Sequence, residues 1–311
     1  MRAERRAVRR LALLLVLSVL ALGAAGATPA GGAPLDVEAF YPEGPTADGA
    51  DILWAEMPMD RIRRLHDGVV STVWQRPRCG PTAVKRTPAG DYWVLCHLDN
   101  RILKLSRTFE PVLDLPTDES GRRIVYPNDG VVDEHGRLYF SSSGPFALEA
   151  PPSGFVMTAD ERGRVLRVAG PLRYPNGVAI DRRGHRLLVS EHLARRLLAL
   201  PLVGREPRAP TVFFDLAKAG VPRPDYALAG PDGLLLTPDG HVVVAEYGAG
   251  RIHFISREGR LLRTMPVPMP FVTNFLLHPT QARTLVVVGA FDNATAPLPG
   301  RVVSLPLPAL P

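Results

Sequence analysis

Three short phrases in the chain place an amide or carboxylate side chain directly after a proline. They read Tyr126-Pro127-Asn128-Asp129-Gly130, Tyr174-Pro175-Asn176-Gly177 and Gly230-Pro231-Asp232-Gly233. Each phrase is followed by a short apolar run, a polar turn and a second apolar run. The side-chain oxygens of Asn and Asp are ligands that hard divalent cations prefer. If the phrases meet in space, they predict a cation site lined by oxygen atoms.

The phrases belong to a repeat of about forty to fifty residues, a period that is typical of β-propellers. Six similar units follow one another, and most have a Gly-bearing turn between their first two apolar runs, as at Asp48-Gly49 and Asp239-Gly240. No unit shows a sustained helical period. We therefore predict an all-β protein, a six-bladed β-propeller with four-stranded antiparallel blades, over residues 41–311.

Blade geometry predicts where the phrases lie. Each phrase opens the innermost strand of its blade and the second strand returns to the same face, so both strand ends approach one mouth of the channel. The residues expected at this mouth are Glu43, Asn128, Asp129, Asn176, Asp232 and Asn274, joined by Glu56, His97, Glu191 and Glu246 from the second strands. A single phrase is better explained by turn formation, which Asn, Asp and Gly favour. The three phrases and Glu43-Gly44-Pro45, four in register, favour a metal site.

The first residues have the layout of a secretory signal peptide. Five arginines precede an apolar run over residues 11–22, and Ala25-Gly26-Ala27 supplies a small-residue cleavage site. We predict a signal peptide over 1–27, a flexible leader rich in Pro, Ala and Gly over 28–40, and a periplasmic or secreted mature protein without a membrane anchor. An uncleaved anchor is the weaker alternative, because the apolar run is short for a spanning helix.

The charge of the chain argues against a nucleic-acid partner. The formal net charge is +6, and the five Arg and one Glu of residues 1–27 account for +4 of it, which leaves +2. No basic cluster remains in the rest of the chain, whereas nucleic-acid binding needs a basic patch. We expect a monomer whose partner is a small molecule.

The two cysteines, Cys79 and Cys96, flank a predicted hairpin whose turn falls near Pro88-Ala89-Gly90. They lie almost symmetrically about this turn, which would let them face each other on neighbouring strands. Export permits a disulfide. Two small buried residues that never bond are the equal alternative.

The ordered set of Glu43-Gly44-Pro45 and the three phrases resembles the senescence marker protein/gluconolactonase (regucalcin-like) family, over roughly residues 43–306. The resemblance implies a six-bladed propeller that holds one divalent cation in its channel and often hydrolyses lactones. It assigns Glu43, Asn176 and Asp232 as metal ligands, with Glu56 as the alternative to Glu43, and Asn128 as a substrate contact. The implied ion is calcium, zinc or manganese, and the oxygen-only ligand set favours calcium.

One departure from the family pattern concerns the substrate. Tyr126 stands where the sugar-lactonase members carry an Arg, two residues before the Asn of the third blade. This difference argues against sugar-acid specificity more than against metal binding.

The chemistry that the resemblance implies is metal-assisted opening of a cyclic ester by water. Asp232 is the expected general base and Asp129 the second candidate, while Asn128 and Tyr126 are expected to contact the substrate. A serine hydrolase is disfavoured, because the sequence contains no Gly-x-Ser-x-Gly motif. The alternative function is an exported ligand-binding or protein-binding propeller with a structural metal in its channel.

Overall fold

The computed structural model describes residues 34–202 and 209–310. These residues form six four-stranded antiparallel sheets, arranged as the blades of a β-propeller. The prediction of an all-β, six-bladed propeller is confirmed. The predicted signal peptide over residues 1–27 lies outside the described residues. Among those described, no helix is long and apolar enough to cross a membrane.

Each blade contributes one strand to each of four concentric positions. The innermost strands are β2 (Pro42–Asp48), β6 (Pro81–Arg86), β10 (Pro127–Val132), β14 (Pro175–Asp181), β18 (Gly230–Leu236) and β22 (Phe271–Leu277). The second strands are β3 (Asp51–Glu56), β7 (Tyr92–Cys96), β11 (Leu138–Ser142), β15 (Arg186–Glu191), β19 (Val242–Tyr247) and β23 (Thr284–Ala290). The third strands are β4 (Arg61–His66), β8 (Arg101–Leu105), β12 (Gly154–Ala159), β16 (Arg196–Pro201), β20 (Arg251–Ile255) and β24 (Pro299–Pro306). The outer strands are β5 (Val69–Gln75), β9 (Pro111–Leu115), β13 (Val165–Leu172), β17 (Thr211–Asp215), β21 (Leu261–Pro266) and β1 (Asp36–Phe40). Two single 3₁₀ turns follow second strands, at Met57–Met59 and His192–Ala194.

The ring is closed by the N-terminal strand. β1 pairs antiparallel with β24, so the sixth blade combines the two ends of the described chain. The prediction of a flexible leader up to residue 40 is therefore wrong for Asp36–Phe40. This segment buries Ala39 and provides hydrogen-bond partners for β24, whose outer edge would otherwise be open. Of the rest of the predicted leader, residues 28–33 lie outside the described part of the chain.

The hydrophobic core consists of six clusters, and each of them joins two neighbouring blades. The cluster between the second and third blades, for example, packs Trp93 of β7 against Phe140 of β11. The cluster between the sixth and first blades packs Trp54 against Val286 and closes the circle. Burial of large apolar side chains is the main favourable term in folding, so the blades stabilise one another around the whole ring.

The phrases form β-bulges. A shift in register between the first and second strands occurs near the beginning of each innermost strand. Such bulges redirect side chains and are common near active sites. The phrase glycines also permit close packing between blades. A Cβ atom on Gly177 would overlap the backbone oxygen of Asp232, and one on Gly233 would overlap Asn274. The glycines are thus required by the approach of adjacent blades.

Cys79 and Cys96 form a disulfide with a sulfur–sulfur distance of 2.08 Å, and both residues are fully buried. The bond joins Cys79, which lies just before β6, to Cys96, the last residue of β7. It lies directly beside Gly80 and His97, and the amide of His97 donates to the Gly80 carbonyl at 3.1 Å. The disulfide therefore fixes the end of the second blade that faces the cavity described next.

Candidate functional site

One end of the central channel opens into a cavity of about 250 Å³. Its floor is formed by side chains of the phrases, each carried on the first residues of an innermost strand: Glu43 on β2, Asn128 on β10, Asn176 on β14 and Asp232 on β18. All four are buried, with exposed fractions of 9%, 6%, 6% and 5%. The structure thus brings the three predicted metal ligands and Asn128 to one place.

Four buried hydroxyl groups hold the backbones of these phrases from the preceding blade. Thr82 Oγ1 donates to the carbonyl of Asn128 at 2.7 Å, Ser143 Oγ to Pro175 at 2.6 Å, Ser190 Oγ to Asp232 at 2.6 Å, and Thr273 Oγ1 to Pro42 at 2.7 Å. Each donor is 3% exposed or less. A buried hydrogen bond restricts both partners, so each site residue is positioned by its neighbouring blade as well as its own.

The two carboxylates of the floor are electrostatically unfavourable in the protein alone. Burial, then repulsion from Asp232 and Asp129, raises the pKa of Glu43 well above its usual range. Burial, then repulsion from Asp129, raises the pKa of Asp232 in the same way. Within the described residues, neither Glu43 nor Asp232 forms an ion pair. This arrangement favours protonation or the binding of a cation.

The donor set suits a hard cation more than a soft one. Glu43, Asn128, Asn176 and Asp232 offer carboxylate and amide oxygens, the ligands that calcium prefers. In residues 34–202 and 209–310, no group of three or more His, Cys, Asp or Glu side chains is placed to hold a metal ion. The Asn amide oxygens are the further side-chain donors that the floor offers beside its two carboxylates.

Asp129, the second predicted base, does not line the cavity. Its Oδ1 lies 2.9 Å from Nζ of Lys85, and its Oδ2 accepts a hydrogen bond of 2.9 Å from Nδ2 of Asn274. Lys85 and Asn274 line a separate cavity further along the inner strands. Asp129 acts on the floor through its charge, since it raises the pKa of both Glu43 and Asp232.

Tyr126, predicted to contact substrate, also lies outside the cavity lining. Its ring packs against His97, with ring centres 5.0 Å apart, and His97 lines the cavity. The Nδ1–H of neutral His97 donates to the carbonyl of Pro127 at 3.2 Å. Burial lowers the pKa of His97 to about 4, so the ring is neutral at neutral pH. Tyr126 therefore packs against His97, which lines the cavity, and does not line the cavity itself.

Three acids expected at the mouth from the ends of second strands do not reach the cavity. Glu56, Glu191 and Glu246 each pair with the Arg five residues later, Arg61, Arg196 and Arg251, at 2.6, 2.6 and 2.8 Å. Each pair occupies facing register positions across the hairpin that joins the second and third strands. These acids are hairpin ties, which also excludes Glu56 as the alternative to Glu43. In the second blade Cys96 faces Arg101 at this register position.

The walls of the cavity are aromatic, and most of the residues that form them are not predicted from the sequence. They comprise Tyr41, Phe146, Tyr174, His192, Tyr226 and Tyr247, with Met57, Thr82 and Asn293 between them. Two of them have a sequence signal, because Tyr41 precedes Pro42-Glu43-Gly44 as Tyr174 precedes Pro175-Asn176-Gly177. The others come from strand ends and loops, where no repeat points to them.

Loss of one of the interblade hydroxyl groups should destabilise the fold. We expect Ser190→Ala to lower the free energy of unfolding by about 1–3 kcal/mol, because the buried carbonyl of Asp232 loses its hydrogen-bond donor. Urea denaturation measures the change. Ser71→Ala on the exposed face of β5 is the matched control and should stay within about 0.5 kcal/mol. Equal effects of the two variants would contradict this role of Ser190.

Removing one floor carboxylate should stabilise the cation-free protein. A carboxyl group with a raised pKa in the folded state penalises folding once the pH exceeds its unfolded pKa of about 4. We expect Asp232→Asn to raise the free energy of unfolding by about 1 kcal/mol at pH 7.5. The gain should largely disappear at about pH 3, where the acid is mostly protonated in both states. Thermal unfolding in chelator at the two pH values checks this expectation.

Comparisons with known proteins agree with the fold and define the family. A model of the SMP-30/gluconolactonase/LRE-like region matches residues 41–291. A gluconolactonase structure from Xanthomonas campestris is 20% identical, with 85% of this chain and 86% of that chain covered and a TM-score of 0.69. A calcium-binding regucalcin from Agrobacterium tumefaciens is 19% identical, with 88% and 94% covered and a TM-score of 0.68.

More distant solved structures share the architecture. A virginiamycin B lyase from Staphylococcus aureus is 14% identical, with 82% of this chain and 81% of that chain covered and a TM-score of 0.57. A search of curated protein sequences finds no match. The family match spans most of the chain and includes all four floor residues. The protein therefore belongs to the SMP-30/gluconolactonase/LRE-like family.

Proposed function

We propose that this protein is an exported, cation-dependent hydrolase that opens a lactone ring at the cavity. The observation that carries the proposal is the meeting of Glu43 and Asp232, both buried and neither in an ion pair within the described residues, beside open space. Unpaired buried carboxylates with strongly shifted pKa values are typical of functional sites. Membership of the family supports the lactonase class.

Glu43, Asn176 and Asp232 would hold the cation. Calcium fits the oxygen donors best, and manganese or zinc also accept them. A bound cation would polarise the lactone carbonyl and stabilise the negative charge that develops on its oxygen. The two carboxylates would balance a divalent charge, which would offset the burial and the repulsion that raise their pKa values.

The side chains of the floor have complementary roles in this reaction. Asp232 takes a proton from the attacking water as the water oxygen bonds to the carbonyl carbon. The ring carbon–oxygen bond then breaks, and the proton passes to the leaving oxygen, giving a hydroxy acid. The Nδ2 of Asn128 lies 3.4 Å from the Tyr174 hydroxyl, and it can turn its remaining N–H toward the substrate to orient it.

The open cavity favours an enzyme over a propeller with a purely structural metal. A structural site can be closed by protein on every side, whereas a catalyst needs room for its substrate beside the reactive groups. The four floor residues line a cavity of about 250 Å³. This space is sufficient for a small substrate.

Activity should depend on the cation and on Asp232. We expect the mature protein to hydrolyse at least one member of a panel of small lactones, to lose the activity on chelation and to regain it with calcium, manganese or zinc. Asp232→Asn should lower kcat/KM by about 10²-fold or more, because proton transfer and cation binding are both lost. Acid release in a pH-stat measures hydrolysis, and elemental analysis measures bound metal.

The matched control is Asp67→Asn, which changes an aspartate whose side chain is 91% exposed on the turn before β5. It should leave activity and metal content unchanged. Bound metal with no hydrolysis of any lactone would favour the binding propeller. Absence of both would overturn the proposal.

Export is proposed from the sequence of the first 27 residues. We expect the full chain produced in a bacterium to appear in the periplasm or medium, and its N-terminus to be Thr28, because cleavage follows small residues such as Ala25 and Ala27. N-terminal sequencing of the fractionated protein measures the cleavage point. Uncleaved protein in the membrane or cytoplasm would contradict the proposal.

A further inference from the structure

The aromatic wall of the cavity is continuous. The ring of Phe146 lies 4.7 Å from Tyr174, 5.3 Å from His192 and 6.3 Å from Tyr247, measured between ring centres. Tyr226 extends the wall, with its ring centre 6.0 Å from that of Tyr247. Aromatic rings at these distances present broad apolar faces and bind apolar or aromatic groups well.

The hydroxyl groups of the wall are already engaged with the protein. Tyr41 and Tyr247 share a hydrogen bond of 2.6 Å between their hydroxyl oxygens. Nδ2 of Asn293 donates to the hydroxyls of Tyr226 and Tyr247 at 2.9 and 3.0 Å. A ligand rich in hydroxyl groups would have to compete for these partners. The rings themselves contribute apolar surface to the cavity beside the polar floor.

The cavity also offers no positive side chain to an anionic substituent. No Lys or Arg is found among the described residues that line it. Burial lowers the pKa of His192 to about 4, as it does for His97, so both rings are neutral at neutral pH. A carboxylate or phosphate group on the substrate would find no side-chain counter-charge in the cavity, and would have to compete with the lactone carbonyl for the cation.

We infer that the substrate of the proposed hydrolysis is a neutral lactone with an aromatic or apolar substituent, and that polyhydroxylated sugar lactones are poor substrates. The inference rests on the proposed function for the reaction and on the cavity wall for the class of substrate. The ester group lies over Asp232 and Asn128, and the apolar part packs against the wall that Phe146 and Tyr247 form. The volume of about 250 Å³ limits the molecule to one or two rings.

Phe146 is the wall residue best suited to test this. It lines the cavity from the segment between β11 and β12, and the guanidinium of Arg173 holds that segment by donating to the carbonyl of Leu148. Phe146 makes ring contacts without any hydrogen bond from its side chain. Its removal therefore changes the apolar surface and leaves the polar floor intact.

The first experiment compares two lactones with the same six-membered ring. Dihydrocoumarin carries a fused benzene ring, and D-glucono-1,5-lactone carries hydroxyl groups. We expect kcat/KM of the mature protein to be about 10²-fold higher for dihydrocoumarin, as hydrophobic pockets discriminate by one to two orders of magnitude. Equal or higher kcat/KM for the sugar lactone would overturn the inference and leave the proposed hydrolase standing.

A binding measurement separates the inference from the reaction. The lactams of the same two molecules, 3,4-dihydro-2(1H)-quinolinone and D-gluconolactam, are not opened, and isothermal titration measures their affinities. Tighter binding of the aromatic lactam, with no lactone hydrolysed, would support the inference and overturn the hydrolase. Tighter binding of the sugar lactam, or binding of neither, would overturn the inference.

A pair of variants locates the effect on the wall. Phe146→Ala should lower kcat/KM for dihydrocoumarin by about tenfold or more and that for unsubstituted δ-valerolactone by less than about twofold. Phe291→Ala is the matched control, since Phe291 is 44% exposed and does not line the cavity. Equal losses on both lactones in Phe146→Ala would show a general structural effect and overturn this role of the ring.

Discussion

Each phrase that carries a floor residue is held by a hydroxyl group of the preceding blade. The donors Thr82, Ser143, Ser190 and Thr273 are all buried, and each bonds to a backbone carbonyl within a phrase. The position of the site is therefore set by the contact between blades. That contact is kept constant by the six interblade clusters and by the pairing of β1 with β24. A site on such a frame is held on rigid elements, which catalysis and metal binding require.

The protein contains two kinds of buried acid, and the difference between them marks the site. Glu246 lies within ion-pair distance of Arg195, Arg251 and His253, and although burial raises its pKa, the hydrogen bond from His253 and the two Arg charges lower it overall. Glu43 and Asp232 are also buried but have no ion-pair partner among the described residues, and their pKa values rise. An acid that the fold leaves uncompensated is destabilising on its own, and such residues are typical of functional sites.

Much of the architecture was predictable from the sequence, because the phrases recur with one period and the hairpin glycines follow it. The convergence of Glu43, Asn128, Asn176 and Asp232 was also predictable, since each begins an innermost strand. β1 was missed because a short strand at the end of a Pro-, Ala- and Gly-rich segment has no pattern of its own, and its partner β24 is distant in sequence. Two strands so far apart in the chain become neighbours only when the six blades close into a ring.

The side chains that face the cavity were harder to predict than the strands that carry them. Glu56, Glu191 and Glu246 lie at or next to the ends of second strands on the expected side, but each forms an ion pair with the Arg five residues later and does not reach the cavity. That spacing is visible in the sequence and would have removed them from the site. The wall residues Phe146 and Tyr226 come from connecting segments, whose paths depend on packing.

The division of work within the phrase has a consequence for how such a protein can change. Pro starts the innermost strand and Gly lets the next blade approach, whereas the residue between them faces the channel, as in Pro175-Asn176-Gly177 and Pro231-Asp232-Gly233. Within one short motif, the Pro and Gly residues thus determine the structure, and the residue between them determines the chemistry. A single substitution at the middle residue can change one ligand of the channel site, in one blade at a time, while the propeller fold is retained.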